Sequence, residues 1–436
     1  MKEIKKIHFI GVGGIGMSAL ARFFLHEGKE VSGSDRELSK ITEALANEGV
    51  EVLSPQQAEN ITKDIDLVVY TMAVNEKSEG YVELLKAREL GIESVSYFEA
   101  LGAVANEYYL IAVAGTHGKT TTTAMLTDIL EQAELDPTAI IGSLRAKTGS
   151  NFRAGKSKYA VVEACEYKRD FLSLQPDVLV ITNVEFEHVD YYKDLADVQS
   201  AFRELALKVP ETGVVIADTS DAKVLPVLKE ISAKVIDYKD KIDLSLKLHQ
   251  PGVHNQTNAA AASAAATFVG VDKEVIKQAL ENFSGTWRRF EYKGTFMGEK
   301  GGRVPVYDDY GHHPTEILAT INGTRELYNK HKTTVVFQSH TYSRTSELFD
   351  DFVEALSKAD CVILLPIYAA REENTSDVSS EKLSQAIEKA GGQATAVSSP
   401  EEAIEEVLKN TPTNGVVVTM GAGDMTSEVA EGLVGN

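Results

Sequence analysis

The sequence predicts an α/β protein with three domains, each built around a mainly parallel β-sheet. Apolar strand patterns alternate with helical patterns along the whole chain, as they do in β-α-β units. Glycine-containing loops follow several strands, at the edge where α/β sheets bind ligands. The length of 436 residues also exceeds what one hydrophobic core usually supports. These observations indicate an enzyme with more than one substrate.

The β-α alternation restarts twice, which divides the chain into three parts. We expect domains at residues 1–103, 104–287 and 288–436. An Ala-rich stretch at 258–268 favours a helix, and further helices are predicted at 17–25 and 121–132. The clearest predicted strands lie at residues 7–10, 30–32, 66–70, 109–114, 159–163, 178–182, 213–217, 304–307, 333–338, 360–365 and 415–420.

The composition excludes several classes of protein. A net charge of −21 disfavours nucleic acids and anionic membranes as partners. The two cysteines, Cys165 and Cys361, cannot form a disulfide framework and suit a reducing compartment. No apolar run approaches the ~18 residues of a membrane span, and the N-terminal apolar stretch is too short for a signal peptide. We therefore expect a cytoplasmic protein.

A loop with the sequence AGTHGKTT, at residues 114–121, separates a predicted buried strand from a predicted helix. Its glycines let backbone N–H groups face a phosphate, and the helix N-terminus adds positive potential. Lys119 would reach the β- and γ-phosphates, and the Thr120 hydroxyl would bind Mg²⁺. The alternative is a glycine turn with an exposed lysine. We predict an ATP site made by Gly115, Thr116, His117, Gly118, Lys119, Thr120 and Thr121.

A second glycine loop follows the first predicted strand and contains Gly11, Gly13, Gly14 and Gly16. Asp35 lies about 20 residues further on, at the end of the second strand, where an acidic side chain can bind a ribose hydroxyl. NAD, FAD and UDP all present a pyrophosphate to such a loop, so the pattern alone does not choose among them. Because another loop is predicted to bind ATP, we assign this one to a nucleotide-linked substrate.

Acidic residues and a histidine follow two strands of the second domain. Glu163 and Glu166 end one strand, and Glu187 and His188 follow the next. Together with Thr120 they could hold one or two Mg²⁺ ions at the carboxyl edge of the sheet. Because Mg²⁺ prefers oxygen ligands, His188 by itself is predicted to be an acid, a base or an orienting group. Solvated surface charges are the alternative.

Further polar groups point to nucleotide and anion binding. Asn255 and Asn258 share a face at a helix start, where their amides match an adenine edge or simply cap the helix. Arg289, in the pair at 288–289, could bind phosphate or belong to a solvated hinge. Two strand ends of the third domain could hold a carboxylate or phosphoryl oxygen, and their candidates are His312, His340 and Arg344.

These motifs, in this order, resemble the Mur ligase family over essentially the whole chain. The motifs that carry the resemblance are GVGGIGMS (11–18), AGTHGKTTTT (114–123), EACEY (163–167), TNVEFEHVDYY (182–192), HNQTN (254–258), RRFEYKG (288–294), DDYGHHPTE (308–316), QSHTYSRT (338–345) and GAGD (421–424). Three positions depart from the family pattern: Cys165 replaces Asp, Ser339 replaces Pro, and Thr341 stands where many members carry Arg. The departures bear on the choice of amino acid.

The resemblance implies a Rossmann-like N-terminal domain, a central P-loop ATPase-like domain and a Rossmann-like C-terminal domain. It implies a ligase that uses ATP and Mg²⁺ to join L-alanine to UDP-N-acetylmuramate through an acyl phosphate, in peptidoglycan precursor synthesis. Such a chain would be a monomer or a homodimer. The alternatives are a sister ligase that adds a recycled peptide to the same sugar nucleotide, an NAD(P)-dependent oxidoreductase, and a nucleotide sensor without catalysis.

The resemblance also implies roles for individual residues. Lys119 would hold phosphates and take part in catalysis together with His188, His312, His340 and Arg344. The implied metal ligands are Thr120, Glu163 and His188. For ATP, the implied contacts are Asn255 and Asn258 with adenine, Arg289 with the phosphates and Asp309 with the ribose. Tyr310, His312, His340 and Arg344 would face the muramate and alanine, and Met17, Thr71 and Glu166 are further substrate-binding residues.

Overall fold

The chain folds around three β-sheets, which divide between two compact units. The computed structural model describes residues 4–188, 191–298, 301–370, 372 and 377–435. The first unit comprises Met1–Leu246 and Thr257–Ser284 and contains two of the sheets. The second unit comprises Lys247–Gln256 and Gly285–Asn436 and contains the third. Within the described ranges, no helix combines the length and the apolar character needed to cross a membrane.

The first sheet has five parallel strands in the order β3-β2-β1-β4-β5. The chain adds β2 and β3 on one side of β1 and then crosses to add β4 and β5 on the other side, so the sheet has a switch point beside β1, where open α/β sheets bind ligands. The elements are β1 (Lys6–Ile10), α1 (Ile15–His26), β2 (Glu30–Ser34), α2 (Lys40–Glu48), β3 (Glu51–Leu53), β4 (Leu67–Tyr70), α3 (Tyr81–Glu89), β5 (Glu93–Ser96) and α4 (Tyr97–Ala105).

The second sheet has seven strands in the order β12-β11-β10-β6-β9-β7-β8, and only β8 runs antiparallel to its neighbour. The hairpin of β7 and β8 has no counterpart among the strands predicted from the sequence. The elements are β6 (Tyr109–Ala114), α5 (Lys119–Gln132), β7 (Thr138–Arg145), β8 (Ser150–Arg153), β9 (Tyr159–Glu163), β10 (Val178–Ile181), α6 (Leu195–Ala206), β11 (Val214–Ala217), β12 (Lys234–Asp237), α7 (Val253–Phe268) and α8 (Lys273–Glu281).

The third sheet has six strands in the order β13-β14-β18-β15-β16-β17, with only β13 antiparallel to its neighbour. The strand expected at 304–307 is longer, so it carries two aspartates at its carboxyl end. The elements are β13 (Glu291–Met297), β14 (Arg303–Asp309), α9 (Pro314–Leu327), β15 (Lys332–Phe337), α10 (Tyr342–Glu347), α11 (Phe349–Leu356), β16 (Cys361–Leu364), α12 (Ser380–Lys389), β17 (Ala394–Ala396), α13 (Pro400–Asn410), β18 (Gly415–Met420) and α14 (Met425–Val434).

The two sheets of the first unit share one hydrophobic core, and a buried polar contact joins them. Asn151 on β8 donates hydrogen bonds to Ile15 O at 2.5 Å and to Ser18 Oγ at 2.9 Å, both on α1. Its Oδ1 accepts a hydrogen bond from Arg22 Nη1 at 2.7 Å. Arg22 is also paired with Glu48 at 2.7 Å. The helix after the first glycine loop is therefore fixed directly to the second sheet.

Candidate functional site

The loop between β6 and α5 is held in its curve by the end of β10. Gly115 has φ +140° and Gly118 has φ +80°, values that favour glycine. Asn183 O accepts from the Thr116 N–H at 3.2 Å, and the Asn183 side chain accepts from the His117 N–H at 2.9 Å. α5 begins at Lys119, two residues earlier than predicted, because the positive φ of Gly118 turns the chain directly into the helix. The candidate lysine and the threonines after it therefore lie in the first helical turn.

Lys119 lies folded over this loop in an acidic environment. Its ammonium donates to Gly115 O at 2.5 Å and to Thr116 O at 3.0 Å, and it is paired with Glu166 at 2.9 Å. Burial opposes its charge, but the acidic groups around it, Glu166 first among them, together outweigh burial and raise the pKa of Lys119. Burial acts to raise the pKa of Glu166, but Lys119 and His188 together outweigh it and lower this pKa. The sequence-predicted phosphate lysine is thus charged and already within the loop.

The predicted metal residues of the first unit come together beside this lysine. The Thr120 hydroxyl donates to Glu163 Oε1 at 2.9 Å, and Glu163 Oε2 accepts from the Gly142 N–H at 2.7 Å. His188 Nε2 lies 3.4 Å from Glu166 Oε1, and His188 has φ +55°, which is unusual for a residue with a side chain. The arrangement places a hydroxyl, carboxylates and an imidazole around the start of α5. Residues 189 and 190 of this motif lie outside the described part of the chain.

Other predicted nucleotide residues lie around the loop and on α7. Thr121 is buried in the first turn of α5. A Cβ built on Gly118 would lie 2.3 Å from Asn258 Oδ1, so this amide lies against the loop. Asn255, one turn earlier on α7, is buried and donates to Pro251 O at 2.8 Å. Both asparagine side chains are thus buried and do not lie on the surface as simple helix caps.

The first glycine loop has the geometry expected at the end of β1. The N–H groups of Gly11 and of the next residue both donate to Ser34 O, and Gly13 N–H donates to Asp35 Oδ2 at 2.8 Å. A Cβ on Gly11 would lie 2.6 Å from Thr71. The predicted residues Gly11, Gly13, Asp35 and Thr71 are therefore together, and Gly14 precedes α1 as its N-cap.

Two further predicted residues at this loop, Met17 and Gly16, pack against apolar or aromatic side chains. The Met17 side chain is buried in the hydrophobic core, so only the backbone of Met17 is presented at the start of α1. A Cβ on Gly16 would lie 2.7 Å from the ring of Tyr97. Tyr97 was not among the predicted residues, and its long-range contact with the glycine leaves no local signal in the sequence.

The predicted residues of the second unit form a cluster of aromatic and cationic groups. The Arg289 guanidinium lies over the Tyr310 ring, 5.3 Å from its centroid, and the rings of His312 and His340 are 5.6 Å apart. Arg344 Nη1 lies 2.9 Å from His340 Nδ1. This cluster can bind an anionic group.

Asp309 lies at the carboxyl end of β14, beneath that cluster. Its carboxylate accepts from the Phe290 N–H and the Gly311 N–H, both at 2.7 Å. Burial raises the pKa of Asp309 to about 6, although the nearby Arg289 acts in the opposite direction.

Family models match three consecutive segments of the chain. The Mur ligase family catalytic domain matches residues 6–109, the Mur ligase middle domain matches 113–243, and the glutamate ligase domain of Mur ligases matches 288–423.

The chain belongs to the Mur ligase family.

Relatives of this Mur ligase align with it over nearly its whole length. The UDP-N-acetylmuramate–L-alanine ligase of Lachnospira eligens is 42% identical, covering 96% of each chain. The enzyme of the same name from Agathobacter rectalis is 40% identical over 98% of this chain and 97% of its own. The crystal structure of UDP-N-acetylmuramate-alanine ligase MurC from Thermotoga maritima matches with a TM-score of 0.81 at 27% identity, covering 98% of each chain. These matches confirm the three-domain α/β architecture predicted from the sequence.

Two residues that were not among the predicted site residues contact predicted ones. His117 Nε2 lies 3.5 Å from Glu185, whose pKa falls to about 2, first because of the hydrogen bond with His117. Tyr368 stacks on His340 with ring centroids 5.6 Å apart. Glu185 belongs to a quoted motif and could have been found as a partner for the loop histidine. Tyr368 lies in a strand-end loop without any motif, so the sequence offered no signal for it.

Replacing Gly115 with alanine is expected to weaken the affinity for ATP about 10- to 100-fold, because backbone strain of this kind costs about 1–3 kcal/mol. The new Cβ would lie 1.9 Å from Thr182 Oγ1 at a φ of +140°. The apparent KM for ATP measures the effect. Gly91→Ala is the matched control, since Gly91 also has positive φ but open space around it. Equal effects of the two substitutions would contradict the role of the loop.

Asp309 gives the stability of this Mur ligase a defined pH dependence. The folded protein holds the Asp309 proton up to about pH 6, whereas an unfolded aspartate loses it near ~3.9. Stability from this group is therefore greatest at low pH and falls by about 2 kcal/mol as the pH rises from 4 to 6. Urea midpoints of the wild type and of Asp309→Asn, followed by fluorescence of Trp287 across this range, measure the fall. Parallel curves for the two proteins would refute it.

Proposed function

We propose that this Mur ligase joins L-alanine to UDP-N-acetylmuramate, with conversion of ATP to ADP and phosphate, as a step in peptidoglycan precursor synthesis. The observation that carries the proposal is the similarity, over 96% or more of the chain, to enzymes named UDP-N-acetylmuramate–L-alanine ligase. The reaction passes through an acyl phosphate of the muramate carboxylate. The amine of L-alanine then displaces phosphate from the acyl carbon.

ATP is the phosphoryl donor, and the loop before α5 is our proposed site for its triphosphate. The N–H groups of residues 118–120, at the N-terminus of α5, attract the phosphates. Lys119 exchanges its bonds with Gly115 O and Thr116 O for phosphate oxygens, while Glu166 keeps the ammonium aligned. Phosphoryl transfer depends mostly on position and on charge neutralisation, which a partly buried lysine supplies. Asn255 and Asn258 are proposed for adenine, Arg289 for the phosphates and Asp309 for the ribose.

We propose Mg²⁺ as a second cofactor, with Thr120, Glu163 and His188 as its ligands. The Thr120 hydroxyl and the Glu163 carboxylate are oxygen donors that already lie 2.9 Å apart, which suits this hard cation. His188 is a less usual ligand, and its position beside Glu166 supports its assignment to the same group. When bound, Mg²⁺ neutralises phosphate charge.

The sugar nucleotide is proposed to bind at the first glycine loop. Gly11, Gly13 and Gly14 precede α1 and Gly16 lies in its first turn, where the helix N-terminus and N–H groups suit a pyrophosphate. Asp35 and Thr71 are proposed to contact the nucleoside, with the backbone of Met17 on the pyrophosphate side and Glu166 on the muramate side. Tyr310, His312, His340 and Arg344 are proposed to face the muramate and alanine groups.

The remaining proposals concern organisation. We propose domains at 1–103, 104–287 and 288–436, because β1–β5, β6–β12 and β13–β18 fall within those three ranges. A cytoplasmic location suits the two free cysteines and the nucleotide substrates. We propose that the enzyme acts as a monomer or a homodimer, which light scattering after size-exclusion chromatography distinguishes.

Phosphate release with ATP, UDP-N-acetylmuramate and a panel of L-alanine, L-serine, glycine and a cell-wall tripeptide tests the function. Release that requires all three substrates, with L-alanine preferred and a product of the corresponding mass, is the expected result. A tripeptide product would indicate the sister ligase that recycles peptides. Binding of NAD(P)H, detected by its fluorescence, with no phosphate release would indicate the oxidoreductase.

A further inference from the structure

Two histidines of the second unit, His312 and His340, have hydrogen-bond partners that force opposite tautomers. Arg344 Nη1 lies 2.9 Å from His340 Nδ1. A guanidinium nitrogen can only donate, so this Nδ1 must accept. In a neutral imidazole one nitrogen accepts and the other carries the proton. His340 is therefore the neutral tautomer with its proton on Nε2.

His312 has the reverse arrangement. Its Nδ1 lies 3.1 Å from Tyr310 O. A carbonyl oxygen can only accept, so this Nδ1 carries a proton. When His312 is neutral, its Nε2 therefore has a lone pair that can take up a proton. The two rings lie edge to face, 5.6 Å apart, in one cluster.

The partners also fix the planes of the two rings. His340 stacks on Tyr368 at an interplanar angle of 30°, and the backbones of the two residues pair as an isolated β-bridge. The Tyr310 ring packs edge-on against His312 at 5.4 Å. Each imidazole is thus held in one orientation by an aromatic neighbour as well as by a hydrogen bond.

We propose that His312 is the general base for the attack of the amine and that His340 is an obligate hydrogen-bond donor to an anionic oxygen of the substrates. This division of roles rests on the proposed function. The nitrogen lone pair of L-alanine in its amine form makes the new C–N bond to the acyl carbon. His312 Nε2 takes the proton that this nitrogen sheds. The C–O bond to phosphate breaks, its electron pair leaves with the phosphate, and the imidazolium then returns the proton to that phosphate.

Replacing each of the two histidines with glutamine separates the two roles. A glutamine amide places an N–H donor near the position of imidazole Nε2 but cannot act as a base. His340→Gln is therefore expected to keep alanine-dependent ligation within about tenfold of the wild type. His312→Gln is expected to lose roughly 100- to 10,000-fold, the range of general-base catalysis. His331→Gln, at an exposed position in the same unit, is the control and is expected to match the wild type.

Hydroxylamine isolates the step that His312 serves. It is largely unprotonated at neutral pH and traps acyl phosphates as hydroxamates without a protein base. With ATP and UDP-N-acetylmuramate, His312→Gln is expected to retain most of the wild-type rate of hydroxamate formation. Thermal unfolding of every variant shows whether a loss of activity reflects misfolding. If His312→Gln does not fold, His312→Asn replaces it, because the asparagine amide preserves the donor to Tyr310 O.

Each outcome decides between the possibilities. The general-base role would be overturned if folded His312→Gln lost both hydroxamate formation and alanine-dependent ligation. It would also be overturned if this variant kept alanine-dependent ligation within tenfold of the wild type. Loss in His340→Gln as large as in His312→Gln would overturn the division of tautomers. If the wild type itself forms no hydroxamate, the acyl phosphate of the proposed function fails, and the base proposed for its second step fails with it.

Discussion

Lys119→Ala is expected to abolish ATP-dependent ligation, with kcat reduced at least about 1000-fold. The substitution removes the ammonium that the loop and Glu166 hold at the start of α5, and removing one preorganised donor from a reacting centre already costs about 100- to 1000-fold. A buried Glu166 would also lose its cation. Phosphate release with all three substrates measures the effect. Binding of UDP-N-acetylmuramate should persist, because its proposed loop precedes α1.

The control for this substitution is Lys156→Ala. Lys156 is exposed in the same unit, so its removal changes the net charge equally without touching the loop. The control is expected to turn over at the wild-type rate. Turnover of Lys119→Ala within tenfold of the wild type would mean that ATP binds elsewhere.

Arg288→Ala is expected to destabilise the second unit by about 3–5 kcal/mol, the cost of removing one partner of a buried ion pair. Arg288 is 2% exposed, and its Nε lies 2.9 Å from Asp308, which is fully buried. The guanidinium also donates to Gly421 O and to Thr426 Oγ1, both at 2.6 Å. Alanine would leave the Asp308 carboxylate without its cation. The single tryptophan, Trp287, adjoins the pair, so its fluorescence in urea reports the unfolding of this unit.

The neighbouring arginine provides the contrast. Arg289 is 28% exposed at the side chain, and its Nη1 lies 3.9 Å from Glu316 Oε1. Arg289→Ala is expected to cost less than about 1 kcal/mol in stability, as exposed pairs do, while it raises the KM for ATP. Equal urea midpoints for Arg288→Ala and the wild type would disprove the structural role of the buried pair.

These two arginines illustrate how far the sequence alone could be interpreted. The order of strands and loops predicted the α/β fold, and three of the strands, 109–114, 159–163 and 415–420, have the observed bounds. The loop at 115–120 was recognisable because its glycines and lysine are consecutive. The sequence offered no way to tell which arginine of the pair is buried, because burial of Arg288 depends on Asp308, Gly421 and Thr426, which are far away in the chain.

The same reason explains what the sequence missed in the site. The Gly142 N–H that orients Glu163 belongs to a hairpin, and pairing of its strands shows only in the fold. Tyr97 and Tyr368 act through ring contacts with residues 81 and 28 positions away. Hydrogen-bond partners such as Tyr310 O, and therefore histidine tautomers, are likewise set by backbone geometry. Local motifs supplied the candidates for the reacting groups, and the groups that orient those candidates were found only from the structure.

The amide of Asn151 between α1 and β8 has a consequence for how the protein melts. Separation of the first sheet from the second would break these hydrogen bonds and expose part of the shared hydrophobic core, so the first sheet is expected to depend on the second for its stability. The first two sheets should therefore unfold in one cooperative calorimetric transition, although they match separate family models. An excised fragment of residues 1–103 would expose the apolar surface that now faces the second sheet, and would tend to aggregate.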